Sequence, residues 1–493
     1  MSLLRRPAPG DEQQPVSGEQ ICGAAARRDE GGEGSAALPG QAGPPPQQHL
    51  ADEAIRGVAA RPVRACGRVE QPSTGRAGPQ HSSPPVGNGQ AALAAPALGV
   101  ILVTAFLNML GYGLVLPVLP FMVRPLVPPD QLAETVGWLG SAYAVCVFAA
   151  APGLGAISDR LGRRPVLLLS LLGSAVGYTI FGLGGALWVL VLGRVIDGLT
   201  GGNIGAIFSY VADCSAPQDR GRQFARVGAA IGGGFLLGPA IGGFAGQLGY
   251  AVPAYAAAGL FALNAIWGLL VLPESLAPSQ RSAHLSWRQL NPVGQLLGLL
   301  RLHEVRGLLV VLLLVYVPFA ALQTTLSVLA LDHLGWQPDQ IGLVLLLVGV
   351  GDIIVQAWLM GVLLPRLGET RVALLGLLLQ ITGYGLLGLV ALLPSAGLLI
   401  GGSLSFGLGD ALLGPSLNGL LSRSVGPRQQ GRIQGGAQAT QSLGRVLGPL
   451  AGGLLYSRAG HASPFWLGGL CVALAVATLL RPGTSRAAPV DGS

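Results

Sequence analysis

Five ionisable residues interrupt long apolar stretches of this 493-residue chain: Arg194, Asp197, Asp352, Asp410 and Arg445. Arg194 and Asp197 are three residues apart, so they would share one face of a helix. Burial favours the neutral form of a carboxylic acid, whereas a nearby cation favours the ionised form. A carboxyl group held between these two influences can load and release a proton. The pattern indicates proton-transfer chemistry, with a fixed ion pair between Arg194 and Asp197 as the alternative.

The remaining three residues leave their pairing open. Asp352 has no charged residue at helical spacing, so within an apolar environment it would be neutral and a candidate proton carrier. An ion pair across helices could join Arg445 to Asp352 or to Asp410, and the sequence does not choose between them.

The stretches that carry these residues have the length of membrane spans. A helix needs about 20 apolar residues to cross ~30 Å of hydrocarbon. The chain is 51% hydrophobic and only 11% charged, whereas soluble proteins carry about 25% charged residues. We predict an all-α integral membrane protein with twelve transmembrane helices at 97–123, 133–157, 165–184, 187–212, 223–248, 252–272, 306–331, 340–364, 371–391, 395–422, 432–457 and 463–481.

One long connection divides the spans into six and six. Residues 97–272 form the predicted amino-terminal bundle, 273–305 a cytoplasmic linker, and 306–481 the carboxy-terminal bundle. Residues 1–96 are rich in Pro, Gly, Ala and Gln without apolar periodicity, which predicts a disordered cytoplasmic tail. Residues 482–493 form a second cytoplasmic tail.

A repeated motif relates the two bundles. Gly238-Pro239-x-x-Gly242-Gly243 in span 5 recurs 210 positions later as Gly448-Pro449-x-x-Gly452-Gly453 in span 11. Inverted and parallel internal repeats of this kind are typical of alternating-access transporters. We therefore expect two pseudo-symmetric six-helix bundles.

The Arg residues orient the spans. The loops after spans 2, 4, 6, 8 and 10 carry most of the Arg residues of the membrane part, and the opposite loops carry only Arg124 and Arg458. Positive residues stay on the cytoplasmic side, so both termini are predicted to be cytoplasmic in a multi-pass protein of the inner (plasma) membrane. The same distribution explains the net charge of +7 without nucleic acid.

The loop after span 2 has a specific composition. It contains Gly155, Asp159, Arg160, Gly162, Arg163 and Arg164, in the order Gly-x-x-x-Asp-Arg-x-Gly-Arg-Arg. Asp159 would lie at a helix carboxyl end, where the helix dipole disfavours an anion. It therefore needs nearby Arg side chains or the amino terminus of another helix. Gly162 allows a tight turn and Gly155 allows helices to approach closely.

This loop resembles the signature loop of the major facilitator superfamily, and the resemblance extends over residues 97–481. The segments 111–120 (GYGLVLPVLP), 192–195 (LGRV) and 290–292 (LNP) are similar to the bacterial tetracycline/H⁺ antiporters within that superfamily. The resemblance implies that Asp159, Arg160, Arg163 and Arg164 act as a conformational latch bonded to the start of span 11 in one state. It also implies that the span 5 motif of Gly238, Pro239, Gly242 and Gly243 is of the antiporter type; its simpler interpretation is a kink and packing groove.

The chain departs from the tetracycline pattern. It has Asn108, Gly177 and Gln380 where those antiporters carry essential carboxylates in spans 1, 3 and 9, and Asp352 where they carry a membrane-embedded His. These departures argue against tetracycline as the substrate. They indicate that proton coupling has moved to Asp197, Asp352 and Asp410, with Arg194 and Arg445 as modulating cations.

In this fold spans 1, 4, 7 and 10 line the central cavity, and aromatic and polar walls suit amphipathic organic molecules. The candidate cavity residues are Asn108, Tyr112, Asn203, Tyr316, Gln323 and Asn418.

We expect a proton-coupled antiporter that exports a small organic or drug-like molecule. The alternatives are a symporter or facilitator that imports a nutrient, and a non-transporting membrane sensor. No enzyme motif, cofactor site or metal cluster is expected. The expected partners are a small-molecule substrate, protons and the lipid bilayer, with no nucleic acid, and the protein is expected to be a monomer.

Overall fold

A computed structural model describes residues 88–216, 218–281, 303–424 and 430–481. The predicted tails therefore fall almost entirely outside the described residues, as does most of the linker. Throughout these ranges the chain is helical and contains no strand. The helices of the twelve spans are Asn88–Val115, Leu132–Leu161, Arg163–Leu183, Leu187–Thr200 with Ile204–Cys214, Arg220–Gly246, Val252–Val271, His303–Leu334, Pro338–Ile354 and Met360–Val390 for spans 8 and 9 together, Ala396–Arg423, Gln430–Ala459 and Ser463–Leu479.

Span 1 differs from the sequence prediction at both of its ends. The first helix begins at Asn88, inside the predicted tail, because the Ala-rich segment 91–97 has high helix propensity although it is too weakly apolar for a span. Span 1 ends at Val115, and residues Leu119–Val123 form a separate short helix. Span 8, predicted at 340–364, runs from Pro338 through a π-helical turn at Val355–Leu359 and reverses only at Gly368.

Hydropathy alone identifies fewer spans than the fold contains. Within the described ranges, nine helices are long and apolar enough to cross a membrane. One of them, Pro338–Val390, is two passes, since Gly368 at its middle has φ 76° and reverses the chain. Span 12 is short at 17 residues, and span 11 carries polar residues along one face. Together these helices give the two six-helix bundles of the predicted fold class.

The repeated glycine motif has the same double role in both bundles. In span 5, Gly238 packs against span 1, where an added Cβ would lie 2.8 Å from Gly113 Cα, and Gly243 packs against span 8 of the other bundle at Asp339. In span 11, Gly448 packs against span 7, and Gly453 packs against span 2 of the other bundle. Each motif therefore joins its helix to its own bundle and to the opposite one.

Contacts between spans 2 and 11 lie at the end of the bundles opposite the signature loop, which we call the far end. The Glu134 carboxylate accepts hydrogen bonds from Arg458, at 3.0 Å from Nη2. The Ser141 hydroxyl donates to the Val446 carbonyl at 2.7 Å and accepts from the Leu450 N–H at 3.0 Å. These bonds join spans 2 and 11 at the far end, and we call this contact the far-end seal. At the other end, which we call the loop end, Gln434 and Gln438 of span 11 are exposed.

A carboxylate from the end of span 6 caps the start of span 3. The Glu274 side chain accepts hydrogen bonds from the backbone N–H groups of Arg163 at 2.8 Å and Arg164 at 3.2 Å. Gly162, at the N-cap position, has no side chain to do this and adopts φ 111°. The anion also interacts favourably with the positive end of the span 3 helix dipole.

We expect Gly137→Leu to destabilise the protein by ~1–3 kcal/mol, since its side chain would collide with the Pro449 carbonyl in the tight crossing of spans 2 and 11. Gly153→Leu on the same helix is the matched control, because a Cβ there meets nothing within 4 Å. Thermal unfolding of the purified protein in detergent, followed by tryptophan fluorescence, compares the two. Equal losses in both variants would contradict the proposed crossing.

We expect Glu274→Ala to lower the free energy of unfolding by about 1–2 kcal/mol, as for the loss of a helix N-cap. Glu274→Gln retains an acceptor oxygen without the charge, so its unfolding temperature should fall between those of the wild type and Glu274→Ala. An alanine variant as stable as the wild type would show that the cap contributes nothing.

Candidate functional site

The signature loop is held within its own bundle. The Arg163 side chain is buried and forms an ion pair with Asp159. Its Nε also donates to Asp213 Oδ2, at the end of span 4, at 3.2 Å. Arg164 donates to the Leu269 carbonyl at 2.6 Å. Asp159 thus finds the nearby Arg partner that its place at a helix carboxyl end requires, while Glu274 occupies the amino terminus of span 3.

Two residues of the signature loop, Gly155 and Arg160, make neither a helix crossing nor an ion pair among the described residues. A Cβ on Gly155 would meet nothing within 4 Å, so Gly155 is not at a helix crossing. The reason is that the close contacts between the bundles lie at the far end. Arg160 is exposed and forms no ion pair among the described residues.

The carboxy-terminal bundle contains an equivalent ion pair with its charges reversed. Glu369, 206 positions after Arg163, pairs with Arg423, 210 positions after Asp213, at 3.0 Å. Both pairs join the loop that follows a positive-φ glycine, Gly162 or Gly368, to the end of the span 4 or span 10 helix. We call each of these ion pairs the loop-end tether of its bundle. The tether is therefore present in both bundles, although its residue types differ.

Span 4 presents Arg194 and Asp197 to the interior of the amino-terminal bundle, each 4% exposed. They form no ion pair with each other within 4 Å. The Arg194 guanidinium instead lies over the ring of Phe181, at 4.9 Å, and the ring of Tyr143, at 5.4 Å. Asp197 Oδ2 and Arg194 Nε have no hydrogen-bond partner. The alternative interpretation, a fixed ion pair between Arg194 and Asp197, is therefore not seen in this structure.

A break in span 4 opens a cavity beside Asp197. The helix stops at Thr200 and restarts at Ile204, and the buried Asn203 side chain lies in the gap. The Asn108 amide of span 1 donates to Asn203 Oδ1 at 3.3 Å. The cavity has a volume of about 20 Å³, room for about one water molecule, and its polar lining comprises Asn108, Tyr143, Ser174, Tyr178, Asp197 and Asn203. Discontinuous helices at membrane depth are tolerated where they line such cavities.

The carboxy-terminal bundle has a related cavity beside Asp410. Gln380 of span 9 donates to Asp410 Oδ1 at 3.2 Å. This cavity is narrow, with no room for a water molecule, and is lined on its polar side by Tyr316, Asp410, Asn418 and Gln441. Asp197 and Asp410 thus occupy comparable places, each on the fourth helix of its bundle and against the third.

Asp352 and Arg445 complete the set of membrane-embedded charges. The Gln356 side chain donates to Asp352 Oδ1 at 2.7 Å, beside the π-helical turn of span 8. Among the described residues Arg445 forms no ion pair with Asp352 or with Asp410, so neither of the two predicted cross-helix pairs is formed. Arg445 is exposed.

The aromatic candidates divide between the bundles. Tyr112 stacks on Tyr143, with ring centroids 5.8 Å apart, and Tyr316 meets Phe319 edge to face at 6.0 Å. Gln323 lines neither cavity.

The sequence analysis missed Tyr143, Ser174, Tyr178 and Gln441, which line the cavities. Only the Gln residue carried a signal, because it is a polar residue one helical turn before Arg445. No group of three or more metal-ligating side chains occurs in the part of the chain that the structure describes.

Comparisons with known proteins agree with this architecture. The sequence profile of the Major Facilitator Superfamily matches residues 101–330 and 308–492. The chain is 34% identical to the class C tetracycline resistance protein of Escherichia coli, over 79% of this chain and 98% of that protein. It is 30% identical to multidrug resistance protein 2 of Bacillus subtilis (strain 168), over 72% of this chain and 88% of that protein.

Solved structures show the same fold. The crystal structure of the human organic anion transporter MFSD10 (TETRAN) matches with a TM-score of 0.59 and 26% identity, over 80% of this chain and all of that chain. The nucleoside transporter NupG matches with a TM-score of 0.65 at 16% identity, over 78% of this chain and 100% of that chain, and supports the fold alone. The chain therefore belongs to the major facilitator superfamily and is a transporter related to the tetracycline resistance efflux proteins, not an enzyme.

Proposed function

We propose that this protein is a proton-coupled antiporter that exports a small organic, drug-like molecule. The observation that carries the proposal is the pair of acids Asp197 and Asp410. Each lies on the fourth helix of its bundle in a small pocket with a polar lining, and neither has a cationic partner within 4 Å among the described residues. The names of the relatives, which include tetracycline and multidrug resistance proteins, support export of drug-like molecules.

Unpaired acids are costly at membrane depth, which is why they suit proton coupling. A charged side chain at the centre of a membrane costs roughly 2.5–3.5 kcal/mol on insertion scales. Protonation of Asp197 or Asp410 removes that cost, so each protonation state favours a different exposure of the site. A ligand or proton shifts such an equilibrium only by its differential affinity for the two states. We propose that Asp352, beside Asp410 in the same bundle, takes part in the same exchange.

The Arg distribution supports a cytoplasmic loop end and cytoplasmic termini. With that orientation the far end is extracytoplasmic, and a seal there combined with an exposed loop end corresponds to an inward-facing conformation. We propose that in the outward-facing conformation the signature loop exchanges its present partners for the start of span 11. The ion pairs of Arg163 with Asp159 and Asp213 would then fix the position of the signature loop in the inward-facing state.

We expect Asp197→Asn to abolish efflux driven by a pH gradient, because the amide cannot release a proton. Everted membrane vesicles with an imposed gradient measure this directly. Asp130→Asn, which removes an exposed acid at the far end, is the charge-matched control and should transport normally. Unchanged transport by Asp197→Asn would show that this residue has no part in the mechanism. If transport by the wild type did not depend on the pH gradient, a facilitator would be favoured instead.

We expect Asp159→Ala to remove the resistance that the wild type confers in a panel of drugs tested in a pump-deficient bacterial host. Arg163 would lose one of its two carboxylate partners, and the signature loop would no longer be held. Asp219→Ala is the control, since Asp219 is an exposed acid of the loop after span 4 without an ion pair among the described residues. Both variants must be present in the membrane at wild-type levels. Full resistance with Asp159→Ala would contradict the latch.

A further inference from the structure

We propose that Arg445 binds an anionic group of the transported molecule, so the substrates are amphipathic organic anions with an aromatic body. This inference rests on the proposed export function and specifies its substrate class. It is carried by the two faces of span 11, by the absence of a protein partner for Arg445, and by the aromatic side chains around it.

Span 11 has opposite polar and apolar faces. At 100° per residue, four positions spaced by four, three and four residues fall on one line along a helix. Gln434, Gln438, Gln441 and Arg445 form such a line, and Leu443, Leu447, Leu450 and Leu454 form another on the opposite side. Leu447 is 44% exposed, as expected for a side chain that faces lipid. The polar line therefore faces away from lipid.

The contacts of residues one turn before and one turn after Arg445 show what the polar face of span 11 packs against. Pro449, one turn beyond Arg445 on the same face, packs against Gly140 of span 2 in the far-end seal. Gln441, one turn before Arg445, lines the cavity beside Asp410. Arg445 therefore lies just below the seal, at the inner end of a polar track that begins with the exposed Gln434 and Gln438.

The protein leaves this cation without a counter-ion. Arg445 has no ion pair within 4 Å and no hydrogen bond among the described residues. The two membrane-embedded acids of its own bundle accept hydrogen bonds from amides, Asp410 from Gln380 and Asp352 from Gln356. Arg194, by contrast, is 4% exposed and covered by two aromatic rings, so a ligand cannot reach it. Of these two membrane-embedded cations, Arg445 is the accessible one.

Aromatic side chains from both bundles lie around Arg445. It is within electrostatic range of the Tyr143 and Tyr316 hydroxyls. Tyr143 stacks with Tyr112, and the backbone and Cβ of Tyr316 pack against Gly444, the residue before Arg445. A guanidinium binds carboxylate or sulfonate oxygens through two parallel hydrogen bonds, while the half-buried Tyr316 offers aromatic surface to a ring. The chemistry matches a molecule that combines both features.

Two matched probes test the proposal: tritiated naphthalene-2-sulfonate, which is anionic at all relevant pH values, and the neutral naphthalene-2-sulfonamide. Equilibrium binding of both is measured on the purified full-length protein in detergent, without a proton gradient. The wild type should prefer the sulfonate. Arg445→Gln should weaken sulfonate binding about tenfold or more, as for the loss of a charged hydrogen-bonded partner, and leave sulfonamide binding unchanged.

Two further variants test whether the sulfonate preference depends on the guanidinium group and on its position. Arg445→Lys keeps the charge without the two parallel donors, so its preference should be intermediate. Arg366→Gln removes an exposed cation of the loop after span 8 and should behave as the wild type.

The proposal is overturned if the wild type binds neither probe or binds both equally. It is also overturned if Arg445→Gln weakens both probes alike, which would indicate a structural role, or if that variant keeps the sulfonate preference. Because no gradient is present, a failure of proton-driven efflux would refute the proposed antiport and leave this binding result standing.

Discussion

The cost of holding an ionisable side chain away from water is the constraint on which this structure depends. Each embedded charge is stabilised in a different way. Arg194 lies between aromatic rings, Asp410 and Asp352 accept hydrogen bonds from glutamine amides, and Asp197 lies beside a cavity at a break in its helix. None of these arrangements neutralises the charge with a fixed opposite charge. The set is thereby left able to respond to a proton or a ligand, which a closed ion pair would prevent.

Glycine packing sets the geometry in which those charges act. The repeated Gly-Pro-x-x-Gly-Gly motif lets spans 5 and 11 approach both their own bundle and the opposite one, so each is a shared element of two interfaces. Without side chains at these positions, the far-end contact between spans 2 and 11 is made largely by backbone atoms, with Ser141 and the Glu134–Arg458 pair adding direction. An interface of this kind depends on the close approach of two helix backbones and on a few directional bonds.

The two bundles conserve positions more than residue types. The tether between the loop after the second helix and the end of the fourth is present in both, yet its charges are reversed between Arg163–Asp213 and Glu369–Arg423. Likewise, the buried acid of the fourth helix recurs as Asp197 and Asp410, whereas only the first is followed by a helix break and preceded by a cation on the same face. A duplicated fold thus keeps the mechanical connections and lets the chemistry of the two halves diverge.

The sequence by itself determined the twelve spans, the two repeated bundles, the turn at Gly162 and the identity of the embedded charges, because hydropathy, helical spacing and glycine placement are local properties. It did not determine the partners of those charges. Asp159 and Arg163 are close in sequence, but the Glu274 cap is more than a hundred residues away, and the aromatic cover of Arg194 comes from spans 2 and 3. The spacing of the Gln and Arg residues predicts a polar face on span 11. That this face meets the interior was decided only by the packing of Pro449 and Gln441. Contacts between distant helices depend on how the whole bundle assembles, and the local sequence does not contain that information.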